Sequence, residues 1–388
     1  MEIKNKEIKK ENYGVVMGEK KRVEYFRHNL EAQDKAELMK VLDTVFLTTG
    51  TVTKEFEEKF ARYLDVKHTV GVMSCTHALE LCLRYFNIGA GDEVITTPLS
   101  YVATANAIEF MGAKPVFVDV EWTTGNIDPL LIEAAITPRT KAIIPVHLYG
   151  QMCNMTVIKE IADKHNLIVI EDAAHCIEGE HKGHKSGTLS NAACFSFYAT
   201  KNITSGEGGA IATNDSAMAA WLLQGRSHGI SSSAADRYTK KYQHYDMEFL
   251  GMKSNMTNMQ AALLVHQLER IESLHAQREL LFKKYEQLLE KFEKPQTVPE
   301  ARHAYHLFSI WVKNRDQLID YVDEKGIGVA VHYRPAHLMS YYVKKYGYKK
   351  GDFPIAEYIG DSTLSLPLYP TLSVESVEYV CDVVKSFV

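Results

Sequence analysis

Short runs rich in valine and isoleucine alternate with helix-length segments from about residue 54 onward. These runs are HTVGVM, DEVITTP, KPVFVDV, KAIIPVHLYG, LIVIEDAAH and AACFSFY, and most end in polar or turn-forming residues. Apolar strands that are separated by helices are typical of βαβ units, which build a mainly parallel sheet covered on both faces. The sequence therefore predicts an α/β fold.

This fold also predicts where function lies. Ligands of open α/β sheets bind beyond the carboxyl ends of the strands, so the residues that directly follow each apolar run are the first candidates. In this sequence they are residues 74–76, 98–101, 147–150 and 172–175.

The chain changes character after residue 275, where strand and helix patterns of an α+β type replace the βαβ pattern. We predict an N-terminal extension (1–20), a large domain (21–275) and a small C-terminal α+β domain (276–388). The extension and the stretch GISSSAADRYTKKYQHYD are predicted to be the mobile parts of the chain.

Composition limits the possible partners. The 388 residues include 44 Lys and Arg against 49 Asp and Glu, and this net charge of -5 argues against a nucleic-acid or anionic-membrane surface. The sequence shows no secretory signal and no apolar run of membrane-spanning length. Its six cysteines form no CxxC pair, which favours reduced thiols. We expect a cytoplasmic protein that binds small molecules or other protein chains.

Lys201 lies between an apolar run and the glycine-rich turn SGEGG, and Asp172 ends the preceding run. An enzyme that uses pyridoxal phosphate needs such a pair, because lysine forms the Schiff base and aspartate keeps the ring nitrogen protonated. Spacing alone leaves a second interpretation open, in which Asp172 caps a helix.

A phosphate site is predicted where the run HTVGVM turns into a helix at Cys75 and Thr76, because the amides and dipole of a helix start favour an anion. Thr76 could instead be a helix N-cap without a ligand. Ser196 could add a hydroxyl to the same phosphate, or it could simply alternate with its phenylalanine neighbours.

A tyrosine, three histidines and the glycines of SGEGG bear on the type of ligand that the site could bind. Tyr101 follows a predicted strand, where its ring could stack on a cofactor. His175, His181 and His184 do not have the spacing of a zinc site, so no metal is expected. The glycines of SGEGG precede a strand-like run instead of opening a helix, which excludes a dinucleotide-binding loop.

Four motifs in order, EDAAH, FSFYATKNITSGEGG, GMKSNMTNMQAALL and GIGVAVHYRPAH, resemble those of the DegT/DnrJ/EryC1/StrS aminotransferases. The resemblance extends from about Val23 to the C-terminus. It implies the fold of the fold-type I pyridoxal phosphate enzymes and transfer of an amino group from L-glutamate to a nucleotide-linked keto sugar.

The resemblance also implies roles for individual residues. Lys201 matches the Schiff-base lysine and Asp172 the partner of the pyridine nitrogen, with Tyr101 and His175 beside the ring. Asn255 matches an asparagine that reaches the phosphate of the neighbouring subunit, which implies a homodimer with shared sites. The phosphate contacts are matched by Cys75, Thr76 and Ser196.

The segment GIGVAVHYRPAHLMSYY is most similar to members that act on UDP-linked 4-keto sugars, which implies amination at C4. It predicts His332, Tyr333 and His337 as residues of the sugar-nucleotide cleft. AVHY could equally be a buried strand with one polar face. Amination at C3, a sugar dehydratase and a non-catalytic binding protein remain alternatives. Dehydratase members carry histidine in place of the Schiff-base lysine, so Lys201 favours transamination.

Overall fold

The computed structural model describes residues 22–231 and 244–387. The predicted N-terminal extension therefore lies outside the described residues, and so does most of the second segment that was predicted to be mobile.

Seven strands form one central sheet in the order β1-β9-β8-β5-β4-β2-β3. Strand β9 runs antiparallel to both of its neighbours, β1 and β8, and the other adjacent strands are parallel. The mainly parallel sheet predicted from the sequence is therefore confirmed. In the part of the chain that the structure describes, the strands are β1 His68–Val72, β2 Glu93–Thr96, β3 Lys114–Phe117, β4 Thr140–Ile144, β5 Ile168–Asp172, β6 Glu180–His181, β7 His184–Lys185, β8 Ala192–Ser196, β9 Gly209–Thr213, β10 Ala301–Arg302, β11 Phe308–Trp311 and β12 Thr363–Leu366.

Helices connect the strands and cover both faces of the sheet. Within the described ranges, none of them is long and apolar enough to cross a membrane. The α-helices are Ala32–Leu42, Thr51–Leu64, Cys75–Tyr85, Ala103–Phe110, Pro129–Ile132, Met155–His165, Ser216–Gly225, Asn258–Glu269, Ile271–Leu288, Arg315–Glu324, Ser340–Tyr346, Pro354–Ser362 and Val374–Phe387, and short 3-10 turns occupy Glu133–Ala135, Leu148–Gly150 and Ala336–Leu338.

Strand β5 shows why the apolar runs are continuous. Ile170 packs on one side of the sheet in a cluster with Leu79 of the helix Cys75–Tyr85, and Val169 packs on the other side with Ile158. Successive side chains of a strand point to opposite faces, so a strand buried on both faces must be apolar at every position. Each aliphatic side chain buried in this way contributes about 1.5–3 kcal/mol.

The C-terminal part of the chain has its own apolar core. It is built mainly from residues 281–384 and also takes in Val23, whose backbone bridges to Ile327. This separate core supports the proposed division into two domains. The helix Ile271–Leu288 runs through the proposed boundary at residue 275.

The segment GVAVHY forms no strand. Ala330 makes one isolated bridge to Ser365 at the side of β12, and the chain then leaves the sheet. The alternative of a buried strand at AVHY is therefore wrong, and its polar side chains are free to turn towards the large domain.

Candidate active site

Asp172 ends strand β5 at the edge of the sheet where the parallel strands terminate, and it is 6% exposed. Its Oδ2 accepts a hydrogen bond of 2.7 Å from Thr104 Oγ1, and its Oδ1 lies 3.8 Å from the thiol sulfur of Cys75. The backbone N–H of Ala174 donates to Oδ1 at 3.2 Å. No helix begins within residues 173–191, all of which the structure describes, so helix capping by Asp172 is wrong.

Lys201 lies in the connection between β8 and β9, where its backbone N–H donates to the carbonyl of Tyr198 at 2.9 Å. Its ammonium makes no hydrogen bond or ion pair with the residues that the structure describes. Burial lowers the pKa of Lys201 to about 8, although the carboxylate of Asp172 and the thiol of Cys75 act in the opposite direction. The lysine and the aspartate predicted from the sequence therefore share one site, and a substantial fraction of the amine is neutral near physiological pH.

The helix Cys75–Tyr85 starts beside this pair. Ser74 is its N-cap and accepts the backbone N–H of His77 at 3.2 Å, so the alternative that Thr76 caps the helix is wrong. The amides of Cys75 and Thr76 belong to the first turn of the helix and have no acceptor within it. They are therefore available to an anion at this end of the sheet.

The structure explains why the last residue of SGEGG, Gly209, is a glycine. A Cβ on Gly209 would lie 2.4 Å from the carbonyl carbon of Ser74 and 2.6 Å from the nitrogen of Cys75, which are backbone atoms. Only glycine lets β9 pass so close to the helix start. Gly209 pairs with Ser196 on β8, which brings that buried serine to the same level of the sheet as the helix start.

A small cavity of about 30 Å³ beside Lys201 receives side chains from both parts of the chain, among them His175, His306, His332 and Tyr333. The hydroxyl of Tyr333 and Nε2 of His175 are hydrogen-bonded at 3.1 Å. The ring of Tyr333 lies 5.9 Å from that of Tyr101, which is 62% exposed and has an open face. The segment that leaves the small sheet therefore completes the site.

His332 and His337 lie in different places. His332 lines the cavity, and its Nδ1 is hydrogen-bonded to the hydroxyl of Ser365 at 2.8 Å. His337 is fully buried among aromatic rings, 4.7 Å from the ring of Phe353, and its Nε2 contacts Glu357 at 3.0 Å. The structure therefore does not bring His337 to the cavity, because Glu357 and these rings enclose its imidazole.

Asn255 lies at a separate cavity of about 580 Å³ with a mainly apolar lining that includes Leu42 and Leu263. Its side-chain amide donates to the hydroxyls of Thr48 and Thr49 at 3.2 and 2.7 Å. Its backbone bridges to Val72, the last residue of β1. Asn255 is thus near the helix start but belongs to a different cavity from Lys201.

The residues present fit pyridoxal phosphate. His175 is 8% exposed, and its Nδ1 is buried without a hydrogen-bond partner among the described residues. A buried polar atom without a partner costs about 1–3 kcal/mol, which a ligand beside Lys201 would relieve. With the cofactor bound, Asp172 would provide the carboxylate for the ring nitrogen, Lys201 the amine, and the helix start the amides for the phosphate.

Fold and site together define a fold-type I, pyridoxal-phosphate-dependent aminotransferase. The chain belongs to the DegT/DnrJ/EryC1/StrS aminotransferase family, whose model matches residues 28–385. It is a sugar aminotransferase, as the resemblance predicted.

The chain is 41% identical over 382 residues to the spore coat polysaccharide biosynthesis protein SpsC of Bacillus subtilis, covering 95% of this chain and 98% of SpsC. It is 37% identical over 374 residues to the GDP-perosamine synthase of Caulobacter vibrioides, covering 94% and 98% of the two chains. The solved PLP form of Spr1654 from Streptococcus pneumoniae superposes with a TM-score of 0.88 at 29% identity, over 94% of this chain and 98% of that one.

Sequence reasoning missed several residues around the site. Thr104 contacts Asp172 from the first turn of the helix Ala103–Phe110, and it could have been noticed as a hydroxyl just after a predicted strand end. His306 is a polar residue within the apolar run HAYHLF, and this pattern could have marked it as a candidate site residue. Glu178 and Asn202, which lie behind the cavity, gave no signal beyond their proximity to Asp172 and Lys201 in the sequence.

Proposed function

We propose that this enzyme transfers the amino group of L-glutamate to the C4 keto group of a nucleotide-linked sugar. The observation that carries the proposal is the half-buried Lys201 amine, with a pKa lowered to about 8, beside the buried carboxylate of Asp172. The name of the Caulobacter relative specifies a GDP-linked product, and this supports a nucleotide-linked substrate.

Bound pyridoxal phosphate supplies an electron-withdrawing ring that stabilises negative charge at the reacting carbon. Asp172 keeps the ring nitrogen protonated, and Thr104 orients the carboxylate by its hydrogen bond. Lys201 Nζ, in its neutral form, removes a proton from the α-carbon of the amino donor and later returns a proton to the sugar carbon. A pKa near the working pH suits this double task.

The other residues position the reactants. The amides of Cys75 and Thr76, together with the hydroxyl of Ser196, would hold the phosphate. Tyr101 presents an exposed ring on which the cofactor can stack. His332 and Tyr333 line the cavity next to Lys201, and this supports their proposed contact with the sugar nucleotide. His337, which Glu357 encloses, is left out of the proposal.

The homodimer remains part of the proposal. Asn255 lies at the rim of an apolar cavity with exposed Leu42 and Met73, which are 46% and 39% exposed. A second copy of the chain covering this cavity would bring Asn255 towards the partner's phosphate site. All six cysteines are free and buried, which supports the proposed cytoplasmic location.

The first test adds pyridoxal phosphate and then L-glutamate to the purified protein and records the visible absorbance. The lysine-bound cofactor should absorb in the wild type, respond to glutamate, and be absent in Lys201→Ala. Lys141→Ala is the matched control, because Lys141 is exposed on β4 and should behave as the wild type.

The second test supplies nucleotide-linked 4-keto and 3-keto sugars and locates the new C–N bond by NMR. Amination at C4 is expected. Nitrogen at C3 alone would contradict the proposed position, and an absorbance band that ignores glutamate would contradict the proposed donor.

A further inference from the structure

A buried hydrogen-bonded chain lies directly behind the cavity. Asn202, the residue after Lys201, is 4% exposed, and its side-chain Nδ2 donates to Oε2 of Glu178 and to the carbonyl of Ala304, both at 2.8 Å. Glu178 has no exposed surface. Both protons of the amide therefore have acceptors, one a carboxylate and one a carbonyl.

This arrangement fixes the orientation of the amide. If the amide were turned over, Oδ1 of Asn202 would face Oε2 of Glu178 and the carbonyl oxygen of Ala304, and acceptors would oppose each other in a buried place. The carboxylate and the carbonyl together therefore direct Oδ1 to the other side, where it lies 2.9 Å from Nδ1 of His306. Because Oδ1 can only accept, Nδ1 of His306 must carry the proton.

The orientation of the amide passes on to the cavity. Burial lowers the pKa of His306 well below its ordinary value, so the ring is neutral and its lone pair is on Nε2. The ring centroids of His306 and His175 lie 4.4 Å apart, and His175 is in turn hydrogen-bonded to Tyr333. Three polar rings next to Lys201 are therefore neighbours, with His306 beside His175 and His175 beside Tyr333.

We propose that Glu178 is a positioning residue: through Asn202 it holds His306 as the Nδ1–H tautomer and so fixes the ring that packs against His175 beside Lys201. Among the hydrogen bonds of the described residues, the side chain of Glu178 bonds to Asn202 and to none of the residues that line the cavity. The kinetic consequence rests on the proposed function, whereas the tautomer does not.

The decisive measurement is the tautomer of His306. The full-length protein, with ring-labelled histidine, is studied by ¹⁵N and ¹³C NMR with and without pyridoxal phosphate, and the His306 signal is assigned by its loss in His306→Gln. The wild type should show protonated Nδ1. A wild-type ring protonated at Nε2 would overturn the proposal, whatever the enzyme's substrate proves to be.

Two substitutions of Glu178 distinguish the effect of its hydrogen-bond acceptor from the effect of its negative charge. Glu178→Gln keeps an oxygen for Asn202 and should retain the tautomer and most of kcat. Glu178→Leu removes one of the two acceptors that hold the Asn202 amide, so the His306 signal should shift towards a mixture of tautomers and kcat should fall roughly tenfold with KM nearly unchanged. An unchanged His306 signal in Glu178→Leu would also overturn the proposal.

Glu357→Leu is the matched control. Glu357 is likewise buried and bonded to a buried histidine, His337, but away from the cavity. Its replacement should lower the melting temperature without moving the His306 signal. If Glu178→Leu fails to fold, the tautomer of His306 measured in the wild type still tests the proposal. If no amino transfer is found at all, the proposed function fails while the NMR result stands independently.

Discussion

The hydroxyl of Thr104 donates a 2.7 Å hydrogen bond to Oδ2 of Asp172 and so joins the helix Ala103–Phe110 to the end of β5. Both residues are buried. The carboxylate proposed to pair with the cofactor ring is therefore held from two sides, by a hydroxyl on one oxygen and a backbone amide on the other. Its direction is set before any ligand binds.

Replacing Thr104 by valine should weaken cofactor binding. The substitution keeps the shape of the side chain and removes one hydrogen bond to a charged group, which is worth about 1.5–3 kcal/mol. The dissociation constant for pyridoxal phosphate, measured by fluorescence titration, should rise about tenfold.

Thr96→Val is the matched control, because Thr96 is a buried threonine whose hydroxyl donates at 2.8 Å to the carbonyl of Ile144. It should lower stability without changing cofactor affinity. Equal affinity in Thr104→Val and the wild type would show that the hydroxyl does not orient Asp172.

Replacing Lys201 by methionine should stabilise the cofactor-free protein at neutral pH. The pKa of Lys201 is lowered from 10.5 to about 8 in the fold, which means that the fold disfavours the charged amine. Below about pH 8 the amine is charged in both states, and the folded state carries the full cost, about 3 kcal/mol.

Between pH 8 and 10.5 the folded amine is neutral while the unfolded one is still charged, so this cost falls as pH rises. Urea unfolding of wild type and Lys201→Met across this range should show the advantage of the variant shrinking to zero. A pH-independent difference would mean that packing, and not charge, separates the two proteins.

Gly209→Ala should disrupt the phosphate end of the site. Its Cβ would meet backbone atoms of Ser74 and Cys75 at 2.4 and 2.6 Å, and these cannot turn away as a side chain could. We expect a loss of more than about 3 kcal/mol in the free energy of unfolding and greatly weakened cofactor binding.

The control is Gly89→Ala, where the nearest atom to the new Cβ is the carbonyl oxygen of Met111 at an ordinary 3.5 Å. Thermal melts of both variants provide the comparison. A Gly209→Ala protein as stable as Gly89→Ala would show that β9 and the helix start can separate without cost.

His337→Gln should affect stability, whereas His332→Gln should affect the reaction of the sugar nucleotide. His337 is enclosed with Glu357, so its loss should cost roughly 1–3 kcal/mol of stability and leave KM for the sugar nucleotide unchanged. His332 lines the cavity, so its loss should raise KM or lower kcat. Steady-state kinetics and thermal melts distinguish the two variants. An altered KM in a well-folded His337→Gln protein would show that His337 belongs to the substrate site.

The strands of the sheet could be predicted from sequence because burial on both faces leaves continuous apolar runs, as in β5. Lys201 and Asp172 could be paired because both follow such runs. The antiparallel β9 could not be placed between β1 and β8, since strand order depends on long-range packing and has no local pattern. The surroundings of His337 could not be predicted either, because nothing in the sequence pattern shows that Tyr348, Phe353 and Glu357 fold back onto its ring.

Thr104, His306 and Glu178 could not be identified from the sequence for a related reason. Each acts through a partner at least 24 residues away, at separations of 68, 104 and 24 residues for their hydrogen bonds to Asp172, Asn202 and Asn202. A reactive side chain that follows a strand end can be recognised as a candidate from the sequence. A residue that supports it through a hydrogen bond can be recognised only in the folded chain.

The two adjacent carboxylates at the end of β5 serve opposite sides of the sheet. Asp172 faces Cys75 and Thr104, while Glu171 accepts hydrogen bonds from Gly187 and Ser190 and contacts His147 on the other side. Inserting or deleting one residue in this strand would exchange them, placing the longer acid beside Cys75 and Thr104 and the shorter one beside Gly187, Ser190 and His147. The number of residues within Ile168–Asp172 is therefore fixed by the different partners on the two faces of the sheet.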